Sequence, residues 1–197
     1  PTTPEAGGGA QPPALAATAV DFPDFVWIWN HQQGLATPPL HVRIARWLSL
    51  RWHQNDRELV LLAFRSSGKS TLVGLFCAWL LLRNPNTRIL VLAGDFALAK
   101  KMVRNVKRII ERHPLTAHLR PRRAESWAAD QFTVARSAEL RDPSMLAKGI
   151  AANVTGLRAD VVICDDVEVP NTCDTAAKRE DLRQRLHEID YVLVPGG

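Results

Sequence analysis

The stretch Leu59-Val60-Leu61-Leu62-Ala63-Phe64-Arg65-Ser66-Ser67-Gly68-Lys69-Ser70-Thr71 decides the fold class. Leu59 to Ala63 is an apolar run that reads as a short buried strand. A Ser/Gly turn follows, and a helix is expected from Lys69 to about Leu82. The turn matches A-x-x-x-x-G-K-S, one residue away from the phosphate-loop pattern G-x-x-x-x-G-K-[ST]. Small residues let such a turn present backbone N–H groups to phosphate oxygens at a helix N-terminus. Gly68 permits the close approach, with Ser66, Ser67 and Thr71 as its neighbours in the cradle. Lys69 would place an ammonium on the β- and γ-phosphates, and Ser70 a hydroxyl on Mg²⁺. Ala63 stands where the pattern has its first Gly, which makes the turn less permissive. The competing reading, a Ser/Gly helix start that happens to contain Lys, weakens because an apolar strand precedes the turn and an apolar helix follows it. ATP and Mg²⁺ are the expected ligands.

A phosphate loop needs a metal-holding partner. Downstream, Val161-Val162-Ile163-Cys164 runs into Asp165-Asp166, with Glu168 beyond. A carboxylate at the C-terminal end of a buried strand is where such NTPases hold Mg²⁺, and Asp165 is expected in that role. The next carboxylate would orient and activate the attacking water. By position this is Asp166; Glu168 is the contender, because its longer side chain can reach back. Two acids after an apolar run are also a common start to a surface loop, so the pair informs only together with the phosphate loop.

Around these motifs, apolar runs at Arg88 to Ala93 and Val161 to Cys164 alternate with helical patterns. The helices are Phe96 to Arg112 and a last one carrying Leu182, Leu186 and Ile189. Weaker strands are expected at Phe132 to Ala135 and Met145 to Ile150, and Tyr191 to Val194 opens another. Buried-looking strands separated by helices imply an α/β fold with a mostly parallel sheet covered on both faces. Residues 1–20 are mostly Pro, Gly, Ala and Thr with one charge and read as a disordered tail. Residues 21–56 read as a helical segment packing on the core, with Pro38-Pro39 at a helix start and four Trp as packing residues. Residues 57–197 form the core.

The chain has 197 residues and a net charge of +5, with 46% hydrophobic and 23% charged residues. That is enough for one sizeable core, not for two full domains. No apolar run approaches the roughly 18 residues that span a bilayer, so no membrane partner is expected. Three scattered cysteines make no disulfide framework, which fits a reducing, intracellular setting. Cys164 reads as core. His113, His118 and His187 lack zinc-ligand spacing. The charge is uneven: nine basic residues and one acid, Glu111, lie between Lys100 and Arg123, whereas nine acids and four Lys or Arg lie between Asp160 and Asp190. This division suggests a polyanion handled near a cation site.

The chain resembles the ATPase domain of tailed-bacteriophage terminase large subunits, of the short-tailed phage type. Arg65 within the loop, the segment Thr155-Gly156-Leu157-Arg158-Ala159-Asp160 leading into Val161 to Glu168, and then Asn171, Asp174 and Arg179 carry the resemblance. It implies a RecA-like P-loop NTPase of the catalytic-acid branch, with Arg65 helping to stabilise the γ-phosphate. It also implies a Mg-dependent ATPase that powers movement of double-stranded viral DNA into a procapsid, in the host cell cytoplasm. Expected partners are DNA, the capsid portal, the small terminase subunit and further copies in a ring. Family members usually read adenine with a Gln ahead of the loop; here His41 stands at about that place. The family continues with a coupling strand and a nuclease domain, so the chain is expected to be truncated before both and weak as an isolated ATPase. The rival readings are a helicase-type DNA-dependent ATPase and a non-hydrolysing nucleotide-binding assembly module. Lys100, Lys101, Arg104, Lys107, Arg108, Arg112, Arg120, Arg122 and Arg123 are candidates for gripping DNA, against the plainer reading of a solvated face. Arg158 reads equally as a finger acting across subunits or as a loop anchor.

Overall fold

Strand β1 (Ile89–Ala93) lies at the centre of a four-stranded mixed sheet in a computed structural model that describes residues 19–121 and 127–195. The expectations placed on residues 1–18, Arg122, Arg123, Gly196 and Gly197 fall outside the described residues. Strand β1 is buried along its whole length because parallel neighbours flank it and helices cover it. It pairs in parallel with β3 (Met145–Gly149) on one side and with β4 (Val161–Asp165) on the other. The two-residue β2 (Gln131–Phe132) adds to β3 in antiparallel register, giving the order β2-β3-β1-β4. A bidentate pair locks the starts of β1 and β4 together. The Arg88 guanidinium donates to both Asp160 oxygens at 3.0 Å, and the Arg88 N–H adds a bond of 2.7 Å. Burial alone would raise the Asp160 carboxyl, but these bonds outweigh it and hold the group below the usual carboxylate range.

The pleat sends alternate side chains of β1 to opposite cores. Ile89, Val91 and Ala93 join the larger one, made by α1 (Phe22–Gln32), α2 (Pro39–His53), α3 (Lys69–Arg83) and α4 (Phe96–Arg112). Leu90 and Leu92 join a smaller one with Ile150, Ala159, Val192 and Leu182 of α6 (Ala176–His187). Both faces are therefore covered. A four-residue helix, α5 (Pro170–Cys173), precedes α6.

The N-terminal helices pack on the larger core. Asp21 caps α1, Pro39 opens α2, and Trp79 of α3 is fully buried with its indole N–H on the Val20 carbonyl at 2.8 Å. Phe22 meets Phe76 edge-on at 5.1 Å. The Trp residues divide, however. Trp29 is buried, whereas Trp27 and Trp52 are exposed and do not serve as core.

Leu59 to Ala63 departs from expectation. Residues 57–64 form neither helix nor strand and join no ladder among the described residues. Leu59 and Leu61 pack on the core, while Val60, Leu62 and Phe64 are 77%, 89% and 70% exposed. An apolar run becomes a strand only when a neighbour takes its N–H and C=O groups. Leu193 bridges Ala159 in parallel and Val194 N–H donates to Ala159 O at 3.0 Å, both just ahead of β4, whose own outer edge carries no ladder among the described residues. No helix among the described residues is long and apolar enough to cross a membrane.

Candidate functional site

The loop before α3 is shaped by two left-handed residues. Ser66 has φ +65° and Gly68 has φ +81°, while Ser67 N–H closes a turn onto Phe64 O at 3.2 Å. The strain falls on Ser66 rather than on Ala63, so this turn does not require glycine at position 63. Gly68 is the N-cap of α3 and supplies no side-chain cap, which leaves the first-turn N–H groups directed outward at the positive end of a 15-residue helix. A methyl group on Gly68 would lie 2.6 Å from His41 Nε2. Glycine is thus required there twice, for its φ and for space.

His41, on α2, places Nε2 2.8 Å from the Ser67 carbonyl and donates to it. The His41 imidazole therefore engages the loop backbone. This contact joins residues 26 apart in sequence and has no signature in the motif itself. Asn105 of α4 approaches from the other side, its amide 3.4 Å from Ser70 O.

Facing the loop is the end of β4. Register sets Asp165 beside Ala93. Asp166 then turns left-handed, with φ +48°, and its carbonyl accepts the Gly94 N–H at 3.1 Å. Asp is one of the few residues that tolerates this conformation, and such strain concentrates at functional positions. The two halves meet at Lys69, whose Nζ lies 3.1 Å from Asp166 Oδ1 and 3.4 Å from Asp165 Oδ1. Ser70 Oγ lies 3.4 Å from Asp165 Oδ2. Burial alone would lower the Lys69 pKa, but the hydrogen bonds and charges of Asp166 and Asp165 outweigh it and leave it raised. Asp166 is 63% exposed, so its pair with Lys69 contributes no more than about 1 kcal/mol.

Gly94 holds this arrangement from behind. An added methyl would sit 2.5 Å from Val169 Cγ2 and 3.0 Å from the Asp166 carbonyl. Gly94→Ala is expected to destabilise the fold by about 1–3 kcal/mol, as overpacking does. Urea unfolding would measure it, with an unchanged midpoint as the contrary result.

Not every candidate converges. Lys69, Ser70, Asp165 and Asp166 come together. Arg65, Thr71 and Glu168 are exposed, and none of the three side chains has a hydrogen bond or ion pair among the described residues. Ser67 Oγ is buried without a partner, an orphan polar atom inside the loop. Arg158 anchors a loop, donating to Tyr191 O at 3.3 Å. Cys164 is exposed rather than core, because β4 is nearly an edge strand; its thiol is nonetheless pushed up to about 11 by partial burial, which leaves it unreactive. A cleft of about 560 Å³ lies at the opposite end of the sheet, lined by Trp52, Arg83, Arg88, Asp160 and Val194. The four converging groups lie at the other strand ends, on a more open surface.

Fold and site together define a mixed-sheet α/β domain whose glycine-started helix faces a strand-end pair of carboxylates. Within that class, the chain is a relative of the terminase large subunits. It is 32% identical over 141 residues to the terminase large subunit of Enterobacteria phage T3. The match covers 72% of this chain and 24% of that protein, so the chain spans about a quarter of its relative's length. No family model matches the chain.

Proposed function

We propose that the chain is the RecA-like P-loop motor domain of a terminase large subunit, a Mg-dependent ATPase that drives double-stranded DNA into a viral procapsid. The observation that carries this reading is the convergence of Lys69 and Ser70 with Asp165 and Asp166. In the proposed mechanism the α3 N–H groups and the Lys69 ammonium hold the phosphates of ATP. Bound phosphate would draw Lys69 away from the carboxylates that it pairs with in this structure. The donor set suits Mg²⁺. Ser70 Oγ and Asp165 supply two hard oxygens on one side, the number that a magnesium shared with phosphates and waters takes from protein. Among the described residues no three His, Cys, Asp or Glu gather into a protein-only cage. Mg²⁺, when bound, supplies charge stabilisation on the phosphates. Asp166 orients and deprotonates the attacking water, and Arg65 offsets charge in the transition state. His41 keeps the Ser67 carbonyl turned toward α2, away from the phosphates.

The portal, the small terminase subunit and further copies in a ring are proposed partners on the strength of the relative alone. The exposed run Val60, Leu62 and Phe64 and the outer edge of β4 support a sheet that is completed by further chain in the longer protein.

Lys69→Ala tests the reading. Titration of the 197-residue chain with a fluorescent ATP analogue should give an affinity at least about ten-fold weaker for the variant. Phosphate release by the full-length protein should fall at least about a hundred-fold, as loss of a phosphate-directed cation does. A wild-type chain that binds no nucleotide at millimolar concentration overturns the proposal.

A further inference from the structure

Helix α4 has two unlike faces. Ala99, Met102, Val103, Val106, Ile109 and Ile110 are buried against the sheet and α3. On the opposite side Lys101, Arg104, Arg108 and Arg112 are exposed. Their spacing of three, four and four sets them in one narrow stripe about 16 Å long.

The helix's other polar groups are already engaged. Lys107 donates to Trp127 O at 2.6 Å, and Lys100 sits over the Phe96 ring at 5.2 Å. Glu111, the one acid on the helix, accepts the Trp127 indole N–H at 2.8 Å. None of the four stripe side chains has a hydrogen bond or ion pair among the described residues.

Helix α6 provides the comparison, because it is a charged solvent-facing helix in the same molecule. There Arg183 pairs with Glu180 at 2.8 Å, Arg185 with Asp181 at 2.7 Å, and Lys178 with Asp174 at 2.9 Å. Interleaved opposite charges stabilise such a face, whereas like charges at i,i+3 and i,i+4 oppose the helix. On α4 four like charges are aligned, and the acid beside them, Glu111, is taken by the Trp127 indole and pairs with none of them.

We propose that this stripe is the surface on which the phosphate backbone of duplex DNA docks. The inference rests on the reading of the chain as a DNA-translocating motor and adds to it the face that takes the load. A duplex carries about one negative charge per 1.7 Å of axis, so a straight row of cations meets several phosphates at once. Bonds to phosphate oxygens carry no sequence information, so a contact made to the backbone is independent of sequence. The same helix carries Asn105, which reaches the Ser70 carbonyl at 3.4 Å. Load on the stripe and events at the loop therefore act on one rigid element.

The test is fluorescence anisotropy of a labelled 30-base-pair duplex with the 197-residue chain from 25 to 200 mM salt. Arg104→Ala/Arg108→Ala should weaken binding about ten-fold at 100 mM and reduce the slope of log affinity against log salt by about two. Arg183→Ala/Arg185→Ala removes the same charge from α6 and should change neither. Equal losses in both double variants would mean a net-charge effect and overturn the proposal. So would wild-type affinity in the α4 variant, no duplex binding at 25 mM salt, or tighter binding of an acidic peptide than of duplex. If the alanine variant fails to fold, Lys101→Gln/Arg112→Gln serves in its place. Titration of the same samples with the fluorescent ATP analogue separates the two readings. Nucleotide binding without duplex binding sinks only the stripe, and absence of nucleotide binding sinks the motor.

Discussion

Asp166→Ala in the full-length protein is expected to cut ATP turnover by about 10²–10⁴-fold, the usual cost of losing a positioned general base. Nucleotide affinity should move the other way. Asp166 Oδ1 holds Lys69 at 3.1 Å, so the carboxylate competes with a phosphate for the same ammonium. Asp166 is largely solvent-exposed, so the pair is worth at most about 1 kcal/mol, which caps the gain in affinity at about five-fold. Tighter binding together with lost turnover is a signature that simple misfolding does not produce. The assignment of Asp166 over Glu168 rests on constraint. The Asp166 backbone is pinned by the Gly94 N–H and held at φ +48°, whereas Glu168 is exposed and its side chain is without a partner among the described residues. Glu168→Ala should keep turnover within about three-fold, since surface changes away from specific contacts do little. If Glu168→Ala abolishes phosphate release and Asp166→Ala does not, the longer carboxylate is the base.

Local signals proved legible where the physics is local. Helix α4 runs from Phe96 to Arg112 as its apolar spacing predicts, because Asp95 caps it and its buried face repeats at helical period. β4 ends at Asp165 for a similarly local reason, an apolar run giving way to charge. Pairing is a different kind of fact. Leu59 to Ala63 has the composition of a strand, yet strand formation requires a neighbour, and composition carries no information about which edge is free. The exposure of Cys164 has the same origin. The contacts beside the loop, His41 to Ser67 and Gly94 to Asp166, and the Arg88–Asp160 pair at the other end of the sheet were hidden because each joins distant positions. A histidine in a helix or a glycine after a strand has no pattern that names its partner. Ala63 is instructive in the opposite sense. The motif suggests that its methyl group restricts the turn, but the left-handed residues are Ser66 and Gly68, so the substitution is tolerated.

Stability should fall steeply between pH 6.5 and 4, and His113 is the reason. The residue is 1% exposed and sandwiched in the main core, its ring stacked 3.7 Å from Phe25. Nδ1 accepts the Leu115 N–H at 3.2 Å, so the proton sits on Nε2, which donates to Phe25 O at 3.0 Å. Every partner thus suits the neutral ring, and a second proton would displace the Leu115 bond. Burial is the main cause that lowers the His113 pKa from 6.5 to about 4, and the hydrogen bond to Phe25 opposes it only in part. Above pH 6.5 both folded and unfolded chains carry a neutral ring, and the residue adds no pH dependence. Between 6.5 and 4 the unfolded chain binds a proton that the folded chain refuses, so stability declines as pH falls. The full loss is about 3 kcal/mol, with about 2 kcal/mol gone by pH 5. For a chain of this size that lowers Tm by about 4–8 °C. Asp160, held low by Arg88, acts in a separate window, below its ordinary value of 3.8. His113→Phe keeps the stacking but orphans the Leu115 N–H and removes the second bond to Phe25 O, and should cost about 1–3 kcal/mol at pH 8. From pH 8 to 5 its melting temperature should then stay flat while that of the wild type drops toward it. Parallel curves for the two proteins, followed by calorimetry, would place the acid sensitivity elsewhere and remove His113 from the account.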